Sequence, residues 1–381
     1  SMAAVLIPSG VRKKHSWSTA AAMKKIKLWR LTTKQAMNRQ RLFKLLFWLA
    51  ALALLISVLL SVPLGDTVES LRRLTWQQVL LLIAINGLVL ALFNARWWAI
   101  LRGQGYRLPF RSLFGYRLAT FGMSYFTPGP HFGGEPLQVL LVEKEQQTPR
   151  STAIAAMTLD KSLELLVNFL FLLTGVILIV QQQILDGAAA AGAILVIALI
   201  LLVPAAYLVA LANGRSPLTW TAAKMGSASI WQSKPAWQER ITGAVGTVRE
   251  SEAEISSLLL HAPSTLIFAV LVSFAAWLLM IFEFWLMVSF LGESLSPIQL
   301  VIALTAARVA ILLFLPAGLG ALEASQAVAF GMIGLNPALG ISASLLIRAR
   351  DVLLGGFGLW WGSRKLSANY LVKKRRGGNE S

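Results

Sequence analysis

Apolar runs long enough to cross a membrane constrain the fold of this chain more than any other feature. The chain has 381 residues, of which 56% are apolar and only 14% are charged. A helix needs about 20 consecutive apolar residues to cross a hydrocarbon core about 30 Å thick. Since lipid cannot satisfy exposed backbone groups, only helices and closed barrels span membranes. The repeated long apolar runs therefore predict an all-α polytopic membrane protein.

Hydropathy divides the chain into six predicted transmembrane helices and two interrupted segments. The interrupted segments, 112–142 and 297–334, each contain a break rich in proline and glycine, which predicts a re-entrant broken-helix hairpin. The predicted membrane domain covers 42–365, with a first half at 79–211 and a second half at 264–362. The six predicted spans cover 42–62, 79–101, 151–180, 188–211, 264–291 and 338–362.

The distribution of basic residues predicts the orientation of these spans. The net charge is +18, and the bases cluster in an N-terminal tail (1–41), a linker (213–261) and a C-terminal tail (366–381). Positive loops stay on the cytoplasmic side, so both termini and the linker are predicted to be cytoplasmic, in a plasma (inner) membrane. Residues 24–41 mix bases with apolar residues and predict an interfacial helix. Anionic lipid explains these bases, so we expect no nucleic-acid partner.

A short motif occurs twice, once in each interrupted segment. Glu135 follows Pro128 by seven positions, and Glu323 follows Pro316 by seven positions. Three predicted spans lie between the two segments, so the hairpins should open to opposite faces, as in an inverted repeat with a midplane site. The predicted helix-break residues are Pro128, Gly129, Gly133 and Gly134 in the first segment, and Pro316, Gly318 and Gly320 in the second.

The two repeated glutamates are the first candidates for a functional site. Ionisable groups at membrane depth face a protein interior or an aqueous path. Glu135 and Glu323 each begin a returning helix, where a carboxylate also caps free N–H groups. The sequence is therefore compatible with two roles for these residues, which are lining a substrate path and capping a helix. His131, within the first break, could titrate near neutral pH or serve as a hydrogen-bonded structural residue.

A basic-x-x-acidic step follows each motif, at Lys161–Glu164 and at Arg348–Asp351. Residues three or four apart share a helix face, so these groups could form internal ion pairs. They could instead bind a phosphate group, for which arginine is well suited. Three further residues belong to the same candidate set, namely Asp160, Arg308 and Arg350. Glu283 is expected to be paired inside the helix bundle, and Arg117 is explained equally well as a cytoplasmic anchor.

The motifs resemble those of the lysylphosphatidylglycerol synthase transmembrane, or flippase-like, family. The resemblance rests on Pro-Gly-x-x-x-Gly-Gly-Glu at 128–135, on Leu-Pro-Ala-Gly-Leu-Gly-x-x-Glu at 315–323, and on Arg-x-Arg-Asp at 348–351. It implies a membrane module that translocates lipid. The chain ends soon after its last span, so the resemblance implies translocation without the aminoacyl-transferase domain of multidomain members.

We therefore expect a transporter that moves a phospholipid or another amphiphilic lipid between leaflets, with an anionic or phosphate head group. No catalytic residue set, metal site, cofactor site or nucleotide-binding motif is apparent, and the chain has no cysteine. The alternatives are an intramembrane enzyme acting on a lipid phosphate and a non-transporting scaffold for a lipid-modifying partner. Homo-oligomerisation is compatible with the sequence.

Overall fold

The computed structural model describes residues 69, 72, 74–127, 133–185, 187–226, 235–312 and 320–377. The described residues form helices and their connections, with no strand among them. The predicted N-terminal tail, the interfacial helix and the first predicted span lie outside the described residues. The described helices are α1 (Trp76–Gly103), α2 (Phe110–Phe126), α3 (Glu135–Glu145), α4 (Arg150–Gln181), α5 (Gly187–Ala212), α6 (Pro217–Gly226), α7 (Pro235–His261), α8 (Pro263–Phe290), α9 (Pro297–Leu312), α10 (Ala321–Met332) and α11 (Pro337–Gly377).

The helices confirm the predicted all-α polytopic fold. Helices α1, α4, α5 and α8 are long and apolar enough to cross a membrane, and their bounds agree with the predicted spans within a few residues. The sixth predicted span forms the first part of α11, which contains Arg348, Arg350 and Asp351 and continues to Gly377. The described part of the linker forms helix α6 and the more highly charged helix α7.

Each interrupted segment forms a hairpin that leaves by the face through which it entered. Helices α2 and α3 have 17 and 11 residues, which is too short for an ordinary crossing. At the mouth of this hairpin, the Gln146 amide donates to the Tyr116 hydroxyl at 2.8 Å. At the mouth of the second, formed by α9 and α10, the Gln299 amide donates to the Ile333 carbonyl at 3.1 Å.

Helices α1 and α8 cross in antiparallel directions, and this crossing relates the two halves. The Asn86 amide donates to Glu283 at 3.3 Å, and the Arg96 guanidinium donates to Ser273 at 3.1 Å. Asn86 and Ser273 each lie ten residues into their helix, and Arg96 and Glu283 each lie twenty residues in. Because each hairpin follows the C-terminal end of one of these helices, the two mouths face opposite sides of the membrane.

Each half also packs one of its helices against the hairpin of the other half, α11 against α2 and α4 against α9. The α2–α11 contact depends on glycine, because a Cβ at Gly358 would lie 2.0 Å from the Leu118 carbonyl oxygen. A Cβ at Gly122 would lie 2.3 Å from the Gly355 carbonyl oxygen. Small residues allow such close approach of helices in membranes, where packing rather than water exclusion drives association.

We predict that Gly358→Leu lowers the thermal unfolding midpoint of the purified protein, because overpacking at a close backbone contact costs about 1–3 kcal/mol or more. Gly356→Leu is the matched control, since it lies on the same helix with no heavy atom within 4 Å of an added Cβ. Thermal scanning of both variants in detergent measures the difference. Equal midpoints for the two variants would contradict the close packing of α2 on α11.

Candidate functional site

A cavity of about 310 Å³ lies between the two halves, and its largely apolar wall carries a cluster of charged residues. Both hairpins contribute to its wall, together with α1, α4, α8 and α11. A membrane protein buries so many ionisable groups only when they pair with one another or serve a polar path. The ionisable residues on the wall are Arg117, Glu135, Asp160, Lys161, Glu164, Glu283, Arg308, Arg350 and Asp351.

Asp160 is the centre of an ion network in the first half. Its carboxylate accepts from Arg96 of α1 and from Arg117 of α2, each at 2.6 Å. Arg96 is fully buried and lies 3.4 Å from Glu164. The guanidinium groups and carboxylates thus pair with one another, as burial of charge requires.

Lys161 connects this network to the first helix break. Its ammonium lies 2.7 Å from Glu164 and 3.6 Å from Glu135. The second oxygen of Glu135 accepts from the backbone N–H of Gly133 at 2.7 Å. Gly134 has no room for a side chain, because a Cβ there would lie 2.1 Å from the Thr120 carbonyl oxygen. Glu135 therefore caps the break and also lines the cavity.

Glu323 occupies the equivalent position of the second repeat but lies in a different environment. Its side chain is fully buried and is not part of the cavity wall. It accepts from Arg348, with Nη2 at 2.8 Å, and from the backbone N–H of Gly320 at 3.0 Å. Gly320 has a φ of +77°, a conformation that glycine adopts without a Cβ penalty. The Glu323–Arg348 pair thus stabilises the second break.

Arg350 connects α11 to α8. Its guanidinium contacts Glu283 at 2.7 Å and Asp351 at 2.8 Å. Glu283, which is 2% exposed, also accepts from Asn86. The expectation that Glu283 is paired inside the bundle is confirmed, and the partner, which the sequence did not identify, is Arg350.

Arg308 differs from the other bases on the wall. Its guanidinium lies over the Trp277 ring, 4.8 Å from the ring centroid, and contacts the Met280 sulfur at 3.2 Å. No carboxylate of the described residues forms a salt bridge with it. The ring and the sulfur hold the group without neutralising it.

Sequence reasoning missed or undervalued several of these residues. The sequence left Arg117 open between a cytoplasmic anchor and a site residue and did not single out Arg96, but both bind Asp160. Gln138 lines the cavity and Gln326 is fully buried. Each follows its repeated glutamate by three positions, a signal that a longer comparison of the two motifs would have found.

The remaining candidates lie outside the described residues, namely Pro128, Gly129, His131, Pro316 and Gly318. Among the described candidates, the structure brings Glu135, Asp160, Lys161, Glu164, Arg308, Arg350 and Asp351 onto one cavity wall. It places Glu323 and Arg348 in a pair of their own. Roles for all of them in transport stay predictions.

Two oppositely facing hairpins around a charged cavity define a polytopic membrane protein built as an inverted repeat. A family model described as the lysylphosphatidylglycerol synthase TM region matches residues 45–357, and the chain belongs to that family. It is 24% identical over 301 residues to a UPF0104 membrane protein of Methanothermobacter thermautotrophicus, covering 77% of this chain and 87% of that protein. It is 22% identical over 324 residues to a UPF0104 membrane protein of Pyrococcus horikoshii, covering 82% and 95%. No solved structure matches the chain.

We predict that Glu323→Gln destabilises the protein by about 3 kcal/mol or more, because it leaves a guanidinium buried without its carboxylate. The double variant Glu323→Gln/Arg348→Gln should recover part of this loss. Glu143→Gln is the control, since Glu143 pairs with Lys144, whose side chain is 64% exposed. Unfolding titrations in sodium dodecyl sulfate measure all three, and equal stability of Glu323→Gln and the control would contradict the structural role of the pair.

Proposed function

We propose that this protein translocates a phospholipid or another amphiphilic lipid between the two leaflets of a membrane. The observation that carries the proposal is the charged cavity inside an apolar bundle, with walls from both oppositely facing hairpins. Such an arrangement can admit a polar group from one face and release it to the other. Membership of a family whose description refers to a lipid synthase supports a lipid as the substrate.

The cavity also has a suitable size for a lipid head group. A volume of about 310 Å³ is at the small end of the range for ligand sites, about 300–1,000 Å³. It can hold a polar head group but not two acyl chains, which would stay in the surrounding lipid. The sequence has no nucleotide-binding motif, so we propose that movement is downhill or coupled to an ion.

We expect Lys161→Gln to slow transbilayer movement of fluorescent phosphatidylglycerol in proteoliposomes by at least about tenfold, because it removes the base that pairs with Glu164 and Glu135 on the cavity wall, and a hydrogen bond to a charged group contributes about 1.5–3 kcal/mol. Lys144→Gln is a matched control, because Lys144 carries the same charge on an exposed surface. Dithionite quenching of the outer-leaflet fluorophore gives the rate. A wild-type rate equal to that of protein-free vesicles would refute lipid translocation.

The same vesicles separate the alternatives. Mass spectrometry of the recovered lipid would reveal a covalently altered product if the protein were an intramembrane enzyme. Unaltered lipid with no protein-dependent movement would favour a scaffold for a lipid-modifying partner. Unaltered lipid that moves only with protein supports translocation.

We also propose that the protein lies in the plasma membrane, with both termini and helices α6 and α7 on the cytoplasmic face. The sequence contains no cysteine, so single cysteines report position without background. In sealed, right-side-out vesicles, an impermeant maleimide should label Gln182→Cys in the α4–α5 loop and should not label Lys224→Cys in α6. Labelling of Lys224→Cys but not of Gln182→Cys in sealed vesicles would contradict this orientation. Labelling of the two variants only after the vesicles are opened would contradict it as well.

A further inference from the structure

The bases on the cavity wall are not equivalent, because four basic groups at the cavity are already engaged with carboxylates. Arg96 and Arg117 bind Asp160, Lys161 binds Glu164, and Arg350 binds Glu283 and Asp351. Of the bases that line the described part of the cavity, Arg308 is the one with no carboxylate in salt-bridge distance. A guanidinium held in place but without a carboxylate in salt-bridge distance is a ready binding group for an oxyanion.

The internal repeat explains why Arg308 lacks a partner. Arg117 lies eleven positions before Pro128, and Arg308 lies eight positions before Pro316, so the two occupy similar faces of α2 and α9, about one helical turn apart. In the first half, Asp160 precedes Lys161 and neutralises Arg117. In the second half, the residue that precedes Arg348 is Ile347, which lines the cavity with an apolar side chain.

Two further side chains on the same wall each have a hydrogen-bond donor without a partner among the described residues. Gln138 is 4% exposed, and its Nε2 donor has no hydrogen-bond partner among the described residues. In the same part of the chain, the Nε donor of Arg117 is also without a partner. These two donors lack an acceptor. The acids of the wall, by contrast, already accept hydrogen bonds from bases, amides or backbone N–H groups. Buried donors gain most from a ligand that supplies acceptor oxygens.

We infer that Arg308 is the phosphate-binding residue of this cavity and that the cavity selects a ligand with a phosphate oxyanion over the same ligand without one. Trp277 and Met280 hold the guanidinium in position, and the missing carboxylate at position 347 keeps it available. The inference rests on the proposed lipid function and adds to it the chemical class of the head group and the residue that recognises it.

The first test needs no variant. Purified full-length protein in detergent is titrated with dihexanoylphosphatidylglycerol, with dihexanoylglycerol, which lacks the phosphate, and with inorganic phosphate. We expect the phospholipid to bind at least about tenfold more tightly than dihexanoylglycerol, as for one hydrogen bond to a charged group. Equal affinities for these two ligands would overturn the inference. Binding of inorganic phosphate as tight as that of the phospholipid would support the oxyanion site but assign it to free phosphate.

The second test uses variants that alter the charge at Arg308 in two ways. Arg308→Gln removes the guanidinium, and Ile347→Asp supplies the carboxylate that the first half has at Asp160. Both should weaken phospholipid binding by about tenfold or more, whereas Ile347→Asn should weaken it less than Ile347→Asp does. Lys144→Gln serves as the unaffected control.

Two results of this series would overturn the inference. Unchanged phospholipid affinity in Arg308→Gln would remove Arg308 from the site, and equal affinities of the Asp and Asn variants at 347 would show that the missing carboxylate is irrelevant. The outcome is separable from that for translocation itself. Phosphate-selective binding without lipid movement would refute the proposed function alone, and lipid movement without phosphate selectivity would refute this inference alone.

Discussion

The antiparallel crossing of α1 and α8 is the constraint on which the rest of the structure depends. Charged groups at membrane depth are stable only when they are paired. Residues of α1 and α8 provide partners for charged residues in both halves. Arg96 of α1 reaches the acids of α4, and Glu283 of α8 reaches Arg350 of α11. Because the helices run in opposite directions, the hairpins that follow them open to opposite faces. The ion networks and the inverted repeat therefore have a common origin.

Local sequence patterns predicted the described helices well. The lengths of the apolar runs predicted the bounds of α1, α4, α5 and α8. The odd number of spans between the two hairpins predicted their opposite orientation. The partners of the buried charges could not be predicted, because Arg96 and Asp160 are 64 positions apart and meet only through helix packing. The motif also could not distinguish Glu135, on the cavity wall, from Glu323, which is fully buried.

The two halves share a backbone plan but differ in charge. Arg96 and Glu283 each lie twenty residues into their helix but carry opposite charges. Ile347 occupies the position in the second half that Asp160 occupies in the first. At the crossing, Arg96 contacts Ser273 and Glu283 contacts Asn86, so each charge meets a neutral polar residue of the other half. The ion pairs of Arg96 and Glu283 are formed within their own halves. Arg308 is left without a carboxylate partner among the described residues.

The charge balance of the cavity bears on how the membrane voltage would act. With every group in its usual charge state, the described wall and Arg96 carry equal numbers of positive and negative groups, so the empty cavity is formally neutral. A phosphate monoanion bound there would give the loaded cavity one net negative charge. Moving one charge through 100 mV involves about 2.3 kcal/mol. An inside-negative voltage would therefore favour export of the anionic head group and leave the return of the empty protein unaffected. The bases in this balance are Arg96, Arg117, Lys161, Arg308 and Arg350, and the acids are Glu135, Asp160, Glu164, Glu283 and Asp351.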